Sequence, residues 1–368
     1  MIMVNEPLLN GNEKKYLNEC IDTNWISSEG PFVTEFEDQM ALYTGRKYAT
    51  ACTSGTAALD IAVAALNLQK GDEIIMPSFT IISCAQALTK LGIKPVLVDS
   101  EYDTFNMKVK DIKSNITSKT KAIMIVHIFG LTVDVNPVLD LAKKHSLKVI
   151  EDAAQAIGQT YKGNQCGSFG DISIFSFYPN KHITTGEGGM VLCDDHLLDK
   201  RSKSLRNLCF GSQRFVHDEI GFNYRMTNIQ AALGVAQLER IDQIIKKKRW
   251  IGTSYNKLLK DLDMINTPIK STNFCKNIYW VYAITLKDNF PETTERVMFE
   301  LEKSGVGTRP FFYPIHQQPV FNKAGLFLND KLPNSEKLYR KGFYIPSGLA
   351  LTQNQIESVS SALHKVLS

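Results

Sequence analysis

The stretch from Ile174 to Met190, IFSFYPNKHITTGEGGM, holds the densest set of residues able to do chemistry in this chain. An apolar run ends at Ser176, the chain turns at Pro179, and Lys181 stands in the loop. Behind it lies a glycine-rich run whose missing side chains let backbone come close to a ligand. A lysine forms a Schiff base only when its amine can lose its proton, which desolvation and neighbouring cations favour. A surface-loop lysine is the plain alternative, and the flanking residues argue against it. Gly186-Glu187-Gly188-Gly189 is a weak dinucleotide fingerprint, because it does not open the helix of a βαβ unit.

The second element is VIEDAAQAIG, Val149 to Gly158. A carboxylate just after a buried strand, Asp152, can pair with a protonated pyridine nitrogen and keep the ring an electron sink. Its alternatives are a helix N-cap or a structural salt bridge. Gln155, one helical turn on, would share its face and reach a ring hydroxyl. The third element, Thr53-Ser54-Gly55-Thr56, sits where a strand meets a helix, and its exposed amides and hydroxyls suit a phosphate monoester or serve only as a cap. Phe79 could stack on a flat ring or belong to the core.

These residues need a scaffold that gathers them. From about Tyr48, short apolar runs alternate with helical patterns: Lys47–Ala51, Glu73–Met76, Pro95–Val98, Ala122–His127, Lys148–Glu151 and Ile172–Ser176 read as strands. Helices read from Ala57 to Leu66, Ile82 to Leu91 and Val138 to His145. Such alternation predicts βαβ units and a mostly parallel sheet covered on both faces. Ligands of such sheets bind at the strands' carboxyl ends. The polar residues there are Thr53–Thr56, Ser78, His127, Glu151, Asp152 and Ser176. A long helical region from Asn228 to about Leu259 closes a large domain, 1–250. Residues 251–368 follow as a smaller α+β domain with a strand at Tyr279–Thr285, a helix at Thr293–Ser304 and a last helix from Gln353.

Composition narrows the classes. With 368 residues, 43% apolar and 22% charged, two domains of ordinary globular texture are expected. A net charge of +4 is small, and Lys246-Lys247-Lys248-Arg249 reads as a solvated helix face, so no nucleic-acid partner is expected. Seven scattered cysteines without CxxC spacing argue against a disulfide framework and against a metal site. The start of the chain lacks a signal-peptide pattern, and no apolar run is long enough for a bilayer, so a cytoplasmic protein with no membrane association is expected.

Taken together, the motifs resemble the DegT/DnrJ/EryC1/StrS sugar aminotransferase family. The matching segments are Trp25–Gly30, Thr53–Leu59, Glu151–Gly158, Phe175–Met190, Gly221–Asn228 and Arg309–His316, nearly the whole chain in order. The resemblance implies the type I fold of pyridoxal-phosphate transferases, aspartate-aminotransferase-like, with a mostly parallel sheet in the large domain. It implies that Lys181 carries pyridoxal 5'-phosphate as a Schiff base and shuttles a proton. Asp152 would pair with the ring nitrogen, Gln155 with the ring hydroxyl, and Phe79 would stack on the ring. Gly55, Thr56 and Ser176 would hold the phosphate, joined by Asn223 from the other subunit of a homodimer.

The implied reaction takes an amine from L-glutamate, leaves the pyridoxamine form, and aminates a nucleotide-linked keto-sugar. The segments around Trp25 and Gly221–Thr227 look most like the branch that aminates 4-keto-6-deoxy sugars to form perosamine, a component of surface polysaccharides. The stretch Leu205–Gly211 departs from the Gly-Gln-Gly pattern of that branch, which leaves GDP-, dTDP- and UDP-linked 4-keto or 3-keto sugars open. Trp25, Ser27, Tyr178, His182, Arg225, Arg309 and His316 are candidate substrate contacts; Tyr178 and His182 could instead be structural, and Arg309 an internal salt-bridge partner. Dehydratases that resemble this family carry histidine where this chain has Lys181, which favours amino transfer.

Overall fold

Strands form wherever short apolar runs precede a turn. In the computed structural model, which describes residues 1–213 and 215–367, these are β1 (Tyr48–Cys52), β2 (Glu73–Pro77), β3 (Lys94–Val98), β4 (Thr120–Val126) and β5 (Lys148–Asp152). A small hairpin of β6 (Thr160–Tyr161) and β7 (Asn164–Gln165) precedes β8 (Ile172–Ser176) and β9 (Gly189–Cys193). Seven of them make one sheet in the order β1-β9-β8-β5-β4-β2-β3. The run β8-β5-β4-β2-β3 is parallel. Strand β9 lies antiparallel to both β1 and β8. The expected parallel sheet is there, and β9 is an addition to it, formed by the end of the glycine-rich run.

Both faces are covered, as near-continuous apolar strands require. Neighbours along β2 show the division: Ile75 packs into a cluster with Phe36, Met40 and Val235, while Ile74 packs with Leu59, Leu88 and Met124. One face receives α2 (Pro31–Thr44) and α7 (Asn228–Leu238); the other receives α3 (Gly55–Ala65) and α4 (Ile82–Thr89). Helices α1 (Glu13–Asp22), α5 (Val135–His145) and α6 (His196–Arg206) complete the layers. Helix α3 is almost all alanine, leucine, isoleucine and valine on every side, which lets it sit close to the sheet.

The long helical region divides. After α7 the chain restarts as α8 (Ile241–Leu258). The start of α7 is fixed by a capping box, in which the Thr227 hydroxyl accepts from the Gln230 amide and the Gln230 side chain accepts from the Thr227 amide. Beyond α8, β10 (Ile265–Asn266), β11 (Tyr282–Leu286), β12 (Arg309–Pro310) and β13 (Gly342–Ile345) form a four-stranded sheet in the order β10-β11-β13-β12. It carries α9 (Thr294–Lys303), α10 (Pro319–Lys323), α11 (Pro333–Lys341) and α12 (Gln353–Leu367). Its core includes Ile284, Leu301, Ile345 and Val359.

A division at residue 250 falls inside α8. The first half of this helix (Ile241, Ile244, Ile245) packs on the large sheet's core, and the second half (Ile251, Tyr255) on the small sheet's core. The first residues of the chain also join the small body: the Ile2 amide donates to the Gly305 carbonyl at 2.7 Å, and Gly307 donates back to Ile2 at 2.9 Å. The basic cluster on α8 is not a uniformly solvated face. Lys248 is buried, because its turn of the helix is the one that crosses between the two bodies. All seven cysteines are buried and unpaired. No helix among the described residues is long and apolar enough to cross a membrane.

Candidate active site

The loop after β8 is a closed turn. Phe177 donates to the Gly188 carbonyl at 2.8 Å, Thr185 to the Phe177 carbonyl at 3.0 Å, and Lys181 to the Tyr178 carbonyl at 2.9 Å. This holds Lys181 half-buried at the carboxyl end of the sheet, its amine 4.0 Å from the centroid of the Trp280 ring. Burial pulls the amine's pKa down to about 8, against the opposing pull of Asp152 and Cys84. An appreciable fraction of neutral amine is therefore present near pH 7, which nucleophilic attack on a carbonyl requires.

Asp152 closes β5 and is 2% exposed. Pleating turns the adjacent Glu151 to the opposite face, where it accepts from the Gly167 and Phe169 amides and pairs with His127 at 3.0 Å. Glu151 and His127 thus brace a loop, and Cys166 beside them completes a buried trio whose acid and imidazole atoms are engaged within the protein. Asp152 receives less: one amide, from Ala154 at 2.9 Å, and the Cys84 thiol at 3.3 Å. Burial pushes its pKa up, and the Ala154 amide, the thiol and Lys181 pull it back. A buried carboxylate this short of donors is suited to one more strong donor, such as a protonated ring nitrogen.

Gln155 does not follow Asp152 on a helix. Residues 153–158 make two successive turns, with the Ala156 amide donating to Ala153 and Gln159 to Ala156. Gln155 is still brought to the site, 3% exposed, with its Oε1 accepting from the Phe129 amide at 2.8 Å.

The end of α3 makes the anion cradle. Ser54 caps the helix by accepting from Ala57 at 3.1 Å, leaving the first-turn amides of Gly55 and Thr56 without intrahelical partners. A side chain at Gly55 would place its Cβ 2.6 Å from the Ser176 Cβ, so glycine is what lets the β8 serine stand against the helix end. The Thr56 hydroxyl lies 2.9 Å from that of Ser83. Lys181, Asp152, Gln155, Gly55, Thr56 and Ser176 therefore share one rim, and a flat phosphorylated heterocycle fits the donors and acceptors they present.

Other expected residues lie elsewhere. Phe79 has no exposed ring face; it packs edge-on against Phe129 and Phe312 and tilted against Phe311. His316 is buried, with its Nδ1 2.8 Å from the Ser78 hydroxyl and its Nε2 3.3 Å from Glu336, and so links the small body to the end of β2. His182 is buried with neither ring nitrogen hydrogen-bonded among the described residues, and burial holds its pKa well below the usual histidine range. Arg309 is exposed, forms no ion pair among the described residues, and lines a cleft with Tyr178 and Asn180. A second cleft is lined by Ser27, Asn207 and Arg225, where Arg225 donates to Asn207 at 2.6 Å. Trp25 is about half exposed beside it, its carbonyl held by Asn228 at 2.6 Å. Asn223 is exposed on the segment between α6 and α7.

The residues that the motifs missed are Cys84, which touches Asp152, and Trp280, which touches Lys181. A tryptophan between two tyrosines just ahead of a strand was the available signal for the second. The first carried none, since a cysteine within a helix of small residues reads as core.

Comparison with known proteins gives the family and the fold. The model of the DegT/DnrJ/EryC1/StrS aminotransferase family matches residues 7–364. GDP-perosamine synthase of Caulobacter vibrioides is 41% identical over 100% of this chain and 98% of its own length. The GDP-perosamine synthase of Vibrio cholerae is 40% identical over 99% and 98%. Among solved structures, the Helicobacter pylori aminotransferase PseC, involved in pseudoaminic acid biosynthesis, superposes with a TM-score of 0.93 at 26% identity, covering 100% of this chain and 99% of that one. The aminotransferase from Psychrobacter cryohalolentis does so with 0.91 at 29%, covering 98% and 97%. The fold is the type I fold of pyridoxal-phosphate-dependent transferases, and the chain belongs to the DegT/DnrJ/EryC1/StrS aminotransferase family.

Proposed function

We propose that this chain moves an amino group from L-glutamate to the keto carbon of a nucleotide-linked 4-keto-6-deoxy sugar, GDP-linked as in the names of its perosamine synthase relatives. The observation that carries the reading is the Lys181 amine, drawn toward its neutral form by burial and set in the same site as the buried Asp152. Pyridoxal 5'-phosphate, when bound, supplies an aldehyde that amines condense with and a ring that stores electrons from the amine-bearing carbon. Lys181 would hold that aldehyde and, when free of it, would carry a proton to and from the reacting carbon. Asp152 would keep the proton on the ring nitrogen, Gln155 would orient the ring hydroxyl, and Gly55, Thr56 and Ser176 would bind the phosphate.

The exposed Asn223 and the apolar side chains around it fit a homodimer in which Asn223 reaches the partner's phosphate site. Lining of two clefts, by Ser27 and Arg225 with Trp25 beside them and by Tyr178 and Arg309, supports these residues as contacts of the nucleotide and the sugar. Seven unpaired thiols favour the reducing cytoplasm as the place of work.

The test is direct. The purified protein supplied with the cofactor should absorb in the visible and lose that band when L-glutamate is added. Offered GDP-, dTDP- and UDP-linked keto-sugars, it should aminate the GDP-linked 4-keto-6-deoxy sugar fastest. A band indifferent to L-glutamate, or turnover restricted to dTDP- or UDP-linked sugars, would overturn the donor or the acceptor assignment respectively.

A further inference from the structure

Trp280 enters the site from the small body. One side chain touches both the Lys181 amine, 4.0 Å from the ring centroid, and the peptide before it, through an Nε1–H donated to the Asn180 carbonyl at 2.7 Å. Its own position is fixed from several directions. Lys248 of α8 donates to the Trp280 carbonyl at 2.8 Å and to the Ser347 carbonyl at 2.6 Å. Phe129 lies stacked on the indole, with centroids 6.0 Å apart and planes 30° apart. A Cβ at Gly130 would come 2.7 Å from the Trp280 amide nitrogen, so backbone presses on it from that side too. The residue before it, Tyr279, takes φ 50°, a left-handed conformation rare for a bulky aromatic, and its amide is held by the Asn277 side chain at 2.7 Å. A strained backbone, a buried ammonium and a close glycine all serve to put this indole under that amine.

We propose that Trp280 is a positioning residue which holds the ammonium form of Lys181 over its indole face whenever that amine is detached from the cofactor, keeping the proton carrier within reach of the reacting carbon. The proposal rests on the assignment of Lys181 made above. Its physical basis is that an indole face attracts a cation and is nearly indifferent to a neutral amine. It therefore favours the charged form that burial disfavours. The other groups facing Lys181 are Asp152 at the end of β5 and Cys84 of α4. His182 is next in the loop, with Lys248 of α8 beyond it. His182 is neutral near pH 7, so Asp152 and the indole are left to hold the charge.

The experiment labels amines of the full-length, cofactor-free chain with acetic anhydride from pH 6 to 10 and reads Lys181 by peptide mass spectrometry. Trp280→Leu keeps apolar bulk and removes the ring face; the labelling midpoint should fall by about one unit. Trp280→Phe should retain most of the wild-type midpoint. Difluorotryptophan at position 280 drains the ring face without changing the packing and should lower the midpoint by a smaller step. In the loaded enzyme Trp280→Leu should lower kcat with the KM for L-glutamate unchanged, and Trp280→Phe should restore most of kcat. A midpoint that stays or rises in both the leucine and the fluorinated proteins overturns the proposal. Reduction of the coloured protein with borohydride, by contrast, tests only whether Lys181 is the cofactor's amine, so the two ideas fail separately.

Discussion

The strand ends of the large sheet and the segment between α6 and α7 are held in different ways. At the strand ends, Asp152 and Gln155 are buried, and the half-buried Lys181 and Ser176 stand beside them; all are set by a core that one chain completes. Among its described residues, the segment from Asn207 to Thr227 is held by bridges such as Asn207 with Asn223 and Phe210 with His217, by the Arg225–Asn207 hydrogen bond and by the Arg201–Glu219 ion pair. Some of its apolar side chains face outward, with Ile220 95% exposed and Phe215 73%, while Cys209 and Met226 are buried. The strand ends are thus held by buried packing, and the segment leaves an apolar surface that a second subunit, as proposed, would cover. Exposed apolar clusters of this kind mark interaction surfaces.

The comparison can be broken at either end. Lys181→Ala should lower turnover by at least about 10⁴-fold, since carrier and proton shuttle are lost together; steady-state rates with the preferred sugar decide it. Asp152→Asn should cost about 10³-fold in kcat and leave the fold intact, because the amide matches the carboxylate in size but supplies no charge. A rate near wild type would mean that another acid serves the ring. Asn223→Ala should weaken cofactor binding by about tenfold, as expected for one hydrogen bond to a charged oxygen. Mixed dimers sharpen this point: a heterodimer of Asn223→Ala with Lys181→Ala has one site with both defects and one with neither if Asn223 acts across the interface, and so keeps about half the wild-type activity per dimer.

The smallest effect concerns the joint between the two bodies. Burial pulls Lys248 down to about 7. Its pKa in the unfolded chain is near 10.4, so between these values the folded chain binds fewer protons and stability rises with pH. The slope approaches about 1.4 kcal/mol per pH unit per proton. Lys248→Met should flatten the rise measured by urea unfolding between pH 7 and 9. An unchanged slope would show that the ammonium is not the group being desolvated.

Much of the sheet was legible, because parallel strands covered on both faces announce themselves as short apolar runs between turns. Ile172–Ser176 was placed to the residue, whereas of the polar residues expected to gather after the strands, Glu151 and His127 pair with each other on the opposite face and Ser78 pairs with His316. Strand β9 is itself a short apolar run, Gly-Met-Val-Leu-Cys, that the glycines before it masked. Trp280 stands far along the chain from Lys181 and meets it only once the small body is folded, with Lys248 holding the Trp280 carbonyl. The helix expected after Asp152 failed for a different reason: the turns that hold Gln155 are built on carbonyls, and an alanine-rich stretch reads as helix whatever follows it. For Phe79 the core alternative describes its surroundings, because four phenylalanines at the junction bury one another.

Helix α8 has one half embedded under each sheet. Heat or denaturant that loosens one body must therefore drag away part of the other's packing, and the two should melt in one transition. A chain divided at residue 250 would expose a half-helix of isoleucines on one piece and strip Ile251 and Tyr255 of their continuation on the other, so calorimetry on such fragments should show broad, non-cooperative melting.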